Sequence, residues 1–597
     1  MSNNRKGKYV KKLKMKNTQL AVCMFAVLLA SACNKPQDKV ENKASSQDNI
    51  TKVAKPEPLQ AHFSWFTYEG NDPIYNDIEL KDNQFLNPIL SGFYPDPGAT
   101  QVGNDYYIVN STFTYYPGLP VFHSTDLVNW TQIGNALDRP DMMDFDGLGM
   151  SRGIFAPTIK ENNGTFYLAT TCVDCGGNFV LTAKNPAGPW SDPIWLPEVG
   201  GIDPSLFFDD DGSVYIMNND APEGGSTYDG HRAIWLRKID PLTLQSLEEA
   251  TVIMNGGVRP EEKPIWIEGP HIYKRDGWYY FSAAEGGTAI NHSQVIARSR
   301  NVKGPYIPWE GNPILTQRDM APDRENPITS VGHASYFEDD EGTWWASFLG
   351  VRPYEGDFYN TGRETFLLPV EWRDGWPVIL DSGEPVAYVQ KRPALPPAPK
   401  PKIPTNGNFS YTEEFNEDSL APYWMFVRVP DEKWYEIKDG EVVINARTQK
   451  LGDMQQPSLI ARRQQHLYGS ASTAVSFEAM SETDEAGLVA FQNDNHYYAI
   501  GISTDENGQP IIRLSERTGE KSPKNGNTIS IANIDITPGQ TVYLKASAKG
   551  DKYDFYYAVN KGDWQQLGKS LDAKQLSTRT AGGFIGVVFG MYAQTGI

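Results

Sequence analysis

The sequence predicts an all-β protein, a five-bladed β-propeller followed by a β-sandwich. Three observations carry this prediction. A small aromatic hairpin recurs five times, short alternating strands fill the rest with no long amphipathic helix, and one proline-rich stretch separates two regions. The hairpin cores are NDYYIVNS at Asn104, NGTFYLAT at Asn163, DGSVYIMN at Asp211, DGWYYFSA at Asp276 and EGTWWASF at Glu341. In each, a polar turn pair runs into an aromatic strand. Anchored on Tyr107, Tyr167, Tyr215, Tyr280 and Trp345, the spacings are 60, 48, 65 and 65 residues. Four-stranded blades with loop insertions give such a period, whereas solenoid repeats are shorter and tighter.

At the N-terminus, basic residues run to Lys16, an apolar run spans Leu20 to Leu29, and Ala30, Ser31, Ala32 and Cys33 follow. This has the form of a secretory signal over 1–32. The cysteine after small residues resembles the bacterial lipobox, implying cleavage before Cys33 and lipidation of its thiol; an ordinary signal with an incidental cysteine is the alternative. Residues 33–60 are polar and Lys-rich, as a flexible tether would be. Asn34 after the lipid cysteine points to the outer membrane of a Gram-negative envelope, with the body hanging from a membrane surface.

The propeller is expected over 61–390, its outer strands supplied by segments such as VFHSTDLVNW, AIWLRKIDPLTL and QVIARSRNVKGPY. KRPALPPAPKPKIP, over 391–404, reads as a semi-rigid linker. Residues 405–597 hold short alternating strands at near-regular spacing, the pattern of a sandwich. Few carboxylates or histidines cluster there, which places catalysis in the propeller.

Acidic residues outnumber basic ones 74 to 54, for a net charge of −20, so a polyanion such as nucleic acid is disfavoured as a partner. Aromatic content of 12% suits a ligand with flat, weakly polar faces, although blade cores account for most of those residues. Cys172 and Cys175, in an oxidising envelope, form a local disulfide or remain quiet thiols. Zinc would need two further ligands at comparable spacing, and the neighbouring sequence holds none.

Eleven or twelve residues before each anchor stand Asp96, Ala156, Asp203, Glu268 and His333. If every repeat is a blade, that place begins the innermost strand, and its side chains converge at one end of the central channel. Three carboxylates brought together cannot all ionise cheaply, so their pKa values separate and leave one protonated beside others ionised. That is equipment for glycosidic bond cleavage. Carboxylates bracketing a metal, with His333, are the competing use.

The strings NPILSGFYPDPG, FTYYPGLPVFHSTDLVNW, GIDPSLFFDDDG, IEGPHIYKRDGWYY, VGHASYF and TGRETFLLPVEW closely resemble glycoside hydrolase family 43, in particular its β-xylosidase and α-L-arabinofuranosidase members. The C-terminal region, including GFIGVVFGMYA, looks like the concanavalin A-like jelly roll that follows the propeller in many of its β-xylosidases. The resemblance implies that Asp96 is a general base activating water, Glu268 a general acid, and Asp203 a residue that raises and orients that acid. It also implies inversion at the anomeric carbon, for which base and acid stand about 6.5–9.5 Å apart.

His333 resembles a channel histidine that holds a water or a cation, so a structural Ca2+ is open while no redox cofactor is required. Arg352, in GVRPY, looks like an arginine that bonds sugar hydroxyls. Phe155 would form an apolar wall of the sugar subsite, with Phe113 and Tyr115 doing likewise; blade packing is the alternative for all three. A sandwich aromatic that closes the pocket is expected, and FGMYA is the candidate segment. Taken singly, Asp96 and Asp203 before proline are turn formers, Glu268 a surface charge, His333 a core histidine and Arg352 an ion-pair member.

These readings combine into an envelope-anchored inverting exo-glycosidase acting on oligosaccharides or polysaccharides, with β-D-xylose as the leading glycone and α-L-arabinofuranose as its rival. From other classes, a non-catalytic glycan-binding lipoprotein and a metal-dependent hydrolase using His333 compete.

Overall fold

A computed structural model describes residues 58–596. The signal segment, Cys33 and nearly all of the expected tether lie outside the described residues.

Five antiparallel sheets, four of them four-stranded and the fourth in order carrying a fifth short strand, follow one another in sequence order. The first runs Gly98–Val102, Asp105–Val109, Gly118–Ser124 and Thr131–Leu137, and the last Thr329–Glu338, Trp344–Val351, Glu364–Arg373 and Trp376–Val378. Each starts at an innermost strand and steps outward, as a propeller blade does. The ring closes between the fifth and first blades, where the Ala99 amide donates to Ser335 Oγ at 3.1 Å. Between blades two and three Thr158 Oγ1 donates to the Pro204 carbonyl at 3.0 Å, and between blades four and five the Tyr336 amide donates to the Tyr273 hydroxyl at 2.8 Å. A short pair, Gln84–Leu86 with Val389–Lys391, ties the two ends of the propeller together.

A blade buries both faces against its neighbours, so every seam needs its own apolar filling. Five clusters fill the five seams, and each hairpin anchor enters a different one: Tyr107, Tyr167, Tyr215, Tyr280 and Trp345. Hence the regular aromatic spacing. Four of the residues eleven or twelve positions earlier sit at irregularities, with register shifts in the innermost strands at Phe155/Thr158, Ile202/Ser205, Glu268/His271 and Gly332/Ser335, while Asp96 stands just before its strand begins at Gly98. A β-bulge of this kind bends its strand and re-aims a side chain.

The C-terminal region is a sandwich of a nine-stranded and an eight-stranded sheet around a core that includes Trp424, Trp434, Ile500 and Phe589. Two of its strands come from elsewhere in the chain. Gln60–Gly70, read from sequence as tether and propeller, lies instead inside the nine-stranded sheet between Glu441–Asn445 and Tyr468–Ser476. Its alternation HFSWFTY buries Phe63, Phe66 and Tyr68 in the sandwich core, which no blade would have done. Tyr115–Tyr116, on the loop between two strands of the first blade, pairs with Met425–Val427 as an edge strand of the eight-stranded sheet.

The linker is held down as well. Asp126 of the first blade accepts a bond from the Ala398 amide at 2.7 Å and is ion-paired with Arg392.

Candidate active site

All five residues of the shared register, Asp96, Ala156, Asp203, Glu268 and His333, line one cavity of about 700 Å³. The backbone is unusual where they stand. Asp96, Asp203 and His333 have φ of 53°, 57° and 55°, and Gly269, directly after Glu268, has φ 55°. Left-handed conformations at non-glycine residues cost roughly 1–3 kcal/mol each and persist where the surroundings over-determine them. Glycine at 269 is required twice over, since a Cβ there would come within 2.7 Å of His333 Nε2.

Asp96 is held by a fork. Arg363 donates from both terminal nitrogens, at 2.9 Å to Oδ1 and 3.3 Å to Oδ2, and Ser111 Oγ donates to Oδ2 at 2.6 Å. Burial works to raise this carboxyl, but Arg363, then His333 and Ser111, outweigh it and keep it below the ordinary aspartate value. Asp203 accepts the Gly269 amide at 3.1 Å, so its carboxyl rests on the peptide that carries Glu268. Burial pushes Asp203 up to about 6, against His333 and with help from Asp96. Glu268 has no cation close enough to offset its burial, and burial, followed by the charges of Asp203 and Asp96, drives it well above the ordinary glutamate value. Two carboxyls of one pocket are therefore pushed in opposite directions, Asp96 toward its ionised form and Glu268 toward its protonated form.

Around them the wall offers both apolar and polar surface. Phe155, Trp266 and Phe584 face the cavity. Asn219 donates Nδ2 to the Ile267 carbonyl at 2.8 Å, which leaves its buried Oδ1 without a partner, and Arg363 Nε is likewise buried and unpartnered. Both are ready to bond ligand hydroxyls.

Three expectations need correction. Arg352 is 1% exposed and far from free: it donates to Glu364 at 2.6 and 2.9 Å, to Asp72 at 2.7 Å and to the Gln465 carbonyl at 3.1 Å. It pins the chain before the propeller, the fifth blade and the sandwich to one another; the arginine that reaches the catalytic carboxylates from the cavity wall is Arg363, of TGRETF. Tyr115 is buried in the seam between propeller and sandwich, and Phe113 stands behind the wall with its ring 5.3 Å from Phe155 and 6.0 Å from Phe584. FGMYA lies in strand Val588–Gln594, with Phe589 in the sandwich core.

The sandwich aromatic on the cavity wall is Phe584, unforeseen from sequence. Gly582 and Gly583, with φ of 75° and 80°, bring it there, and its amide donates to Ser151 Oγ at 2.9 Å. The paired glycines before an aromatic were the available signal.

Cys172 and Cys175 form a disulfide. His333 Nδ1 is 3.9 Å from Asp96 Oδ1. A hard cation takes about six to eight oxygen ligands, and among the described residues no group of three or more His, Cys, Asp or Glu side chains is arranged to hold a metal. His333 and the carboxylates beside it therefore do not by themselves make a Ca2+ cage.

The model of glycosyl hydrolases family 43 matches residues 85–377, and that of the β-xylosidase C-terminal concanavalin A-like domain matches 412–596. A xylosidase/arabinosidase of Butyrivibrio fibrisolvens is 36% identical over 85% of this chain and 95% of its own length. The chain belongs to glycosyl hydrolase family 43. It is thus a glycoside hydrolase, which removes the reading as a non-catalytic glycan-binding protein. Another family 43 relative, the non-reducing end α-L-arabinofuranosidase of Bacteroides ovatus, is 35% identical over 87% of this chain and 92% of its own. Among solved structures, a GH43_12 retrieved from a capybara gut metagenome superposes with a TM-score of 0.83 at 41% identity, covering 90% of this chain and 99% of that one.

Proposed function

We propose that this family 43 hydrolase removes terminal pentoses from oligosaccharides or polysaccharides of the xylan type, with β-D-xylose as the glycone, by single-displacement hydrolysis that inverts the anomeric carbon. The observation that carries this is the opposite surroundings of two carboxyls in one pocket: the Arg363 fork holds Asp96 below the ordinary aspartate value, while burial and the neighbouring Asp203 drive Glu268 well above the ordinary glutamate value. Asp96 takes the proton from a water as that water attacks the anomeric carbon; Glu268 gives its proton to the departing glycosidic oxygen. Asp203 acts on Glu268 through the shared peptide and through its charge. Arg363 keeps Asp96 in place and ionised. Phe155 and Phe584 wall the sugar, the second from the sandwich, and favour chain ends over mid-chain sites.

The α-L-arabinofuranosidase reading stands beside it because the Bacteroides ovatus relative carries that name. Lipidation at Cys33 and an outer-membrane address complete the proposal, on the signal-like sequence alone. The test is proton NMR of the sugar released from nitrophenyl β-D-xyloside and α-L-arabinofuranoside. The inverted anomer should appear first from the preferred substrate, and a retained anomer at early times sinks the mechanism.

A further inference from the structure

A second cavity, of about 610 Å³, opens between the propeller and the sandwich. We propose that it is a subsite for a neutral oligosaccharide chain, taking sugars of the polymer whose end occupies the catalytic pocket; this rests on the pentosidase reading for the identity of the polymer. Two independent features point to a ligand. Trp195, at the outer edge of the second blade, is 39% exposed on the cavity wall. Its ring is fixed from behind: it packs 4.9 Å from the Phe179 ring, and a Cβ on Gly176 would come within 2.5 Å of it. An immobile, half-bared indole offers a flat apolar face to the C–H side of a pyranose at little entropic cost.

The second feature is Gln456. Its Oε1 accepts from Trp434 Nε1 and from Arg447, both at 3.2 Å. Both partners are donors only, so the orientation of the amide is fixed and the free atom is the nitrogen. That Nε2 is buried without a partner in a residue only 7% exposed, on the wall of the cavity. A buried donor left unpaired costs about 1–3 kcal/mol, which a sugar oxygen recovers.

The remaining wall decides the kind of sugar. Asp141, Asp144, Asp146 and Asp431 are carboxylates, whereas the arginines are already engaged, Arg428 with Asp494 at 2.8 Å and Arg447 with Glu432 at 3.1 Å. An anionic glycan is repelled, and hydroxyls, which donate to carboxylates, are matched. The position suits a chain running out of the catalytic pocket. Arg152, on the wall of that pocket, is paired with Asp174 at 2.6 Å, and the next residue, Cys175, is on the wall of the second cavity. The turn closed by the Cys172–Cys175 disulfide thus places Val173 on the wall of the catalytic pocket and Cys175 on that of the second cavity.

The experiment is affinity electrophoresis of the full chain in native gels containing soluble arabinoxylan, with Glu268→Gln as parent so that the polymer survives. Trp195→Ala in that parent should weaken retardation at least fivefold, and Trp195→Phe, which keeps a flat face, should restore most of it. In the active chain, Trp195→Ala should lower kcat/KM on arabinoxylan by a similar factor and leave a nitrophenyl pentoside, which is too short to reach Trp195, unchanged. A Trp195→Ala chain retarded as strongly as its parent overturns the site, as does a parent that arabinoxylan does not retard. Failure of the pentosidase reading shows separately, as absence of pentoside hydrolysis by the active chain.

Discussion

Arg363 grips Asp96 with both terminal nitrogens, from the far end of the propeller chain to its beginning. The pair is buried, and its charge balance sets how acidic Asp96 is. Removing the guanidinium should raise the Asp96 pKa, because the charge that opposed burial is gone. For Arg363→Ala the acidic limb of the kcat/KM profile should therefore move to higher pH, with a fall of about 10²–10³-fold at the optimum. Arg363→Lys should recover part of the shift but little of the rate, since an ammonium cannot hold both oxygens. An acidic limb that stays in place separates Asp96 from the base.

Asp203→Asn should shift the other limb. The charge of Asp203 helps hold Glu268 protonated, so its loss lowers the Glu268 pKa and brings the alkaline limb to lower pH. The profile should narrow from the alkaline side, and KM for a pentoside should change less than kcat.

Glu268→Gln should lower kcat/KM on oligosaccharides by about 10²–10⁴-fold, and on nitrophenyl pentosides by less, because nitrophenolate leaves without a proton. The same substitution should alter stability with pH. A carboxyl raised above its unfolded value contributes stability that is complete below the unfolded pKa of about 4.3 and is lost as pH rises through the folded value. Glutamine does not titrate. The variant should match the parent at pH 4 and melt at a higher temperature at pH 8 and above, read by circular dichroism.

Phe584→Ala should raise KM for small pentosides about tenfold while leaving the melting temperature nearly unchanged, because this half-buried ring lines the cavity rather than filling the sandwich core. Cleavage within longer chains should become measurable once that wall is opened.

Arg352→Met should do the reverse. It strands Asp72 and Glu364 in the interior, at about 3–5 kcal/mol. The melting temperature should drop clearly, and protein that remains folded should keep the parent KM.

The contrast between these two arginines shows where sequence reading ends. The five anchors were legible because every seam repeats the same packing problem, and the register residues because a period transfers position from blade to blade. Arg352 and Arg363 are eleven residues apart, and nothing in GVRPY or TGRETF states which one turns toward the channel. That is decided by partners near the start of the chain, Asp72 for one and Asp96 for the other. Phe584 was illegible for the same reason, as it meets Phe113 and Phe155 from more than 400 residues away. Gln60–Gly70 alternates as any strand would, and its alternation does not identify partners near residues 441 and 470.

That strand has a consequence for how such a chain arises and is inherited. A polypeptide beginning at the proline-rich linker would carry a sheet with a gap through its middle, and one ending there would carry an orphan strand with a bare apolar side. The segment is synthesised before any blade and must wait for sandwich partners made after the last one, so its half of the core stays open until the propeller has emerged. Recombination at the linker cannot hand it intact to another enzyme, and descent must carry both ends of the chain together.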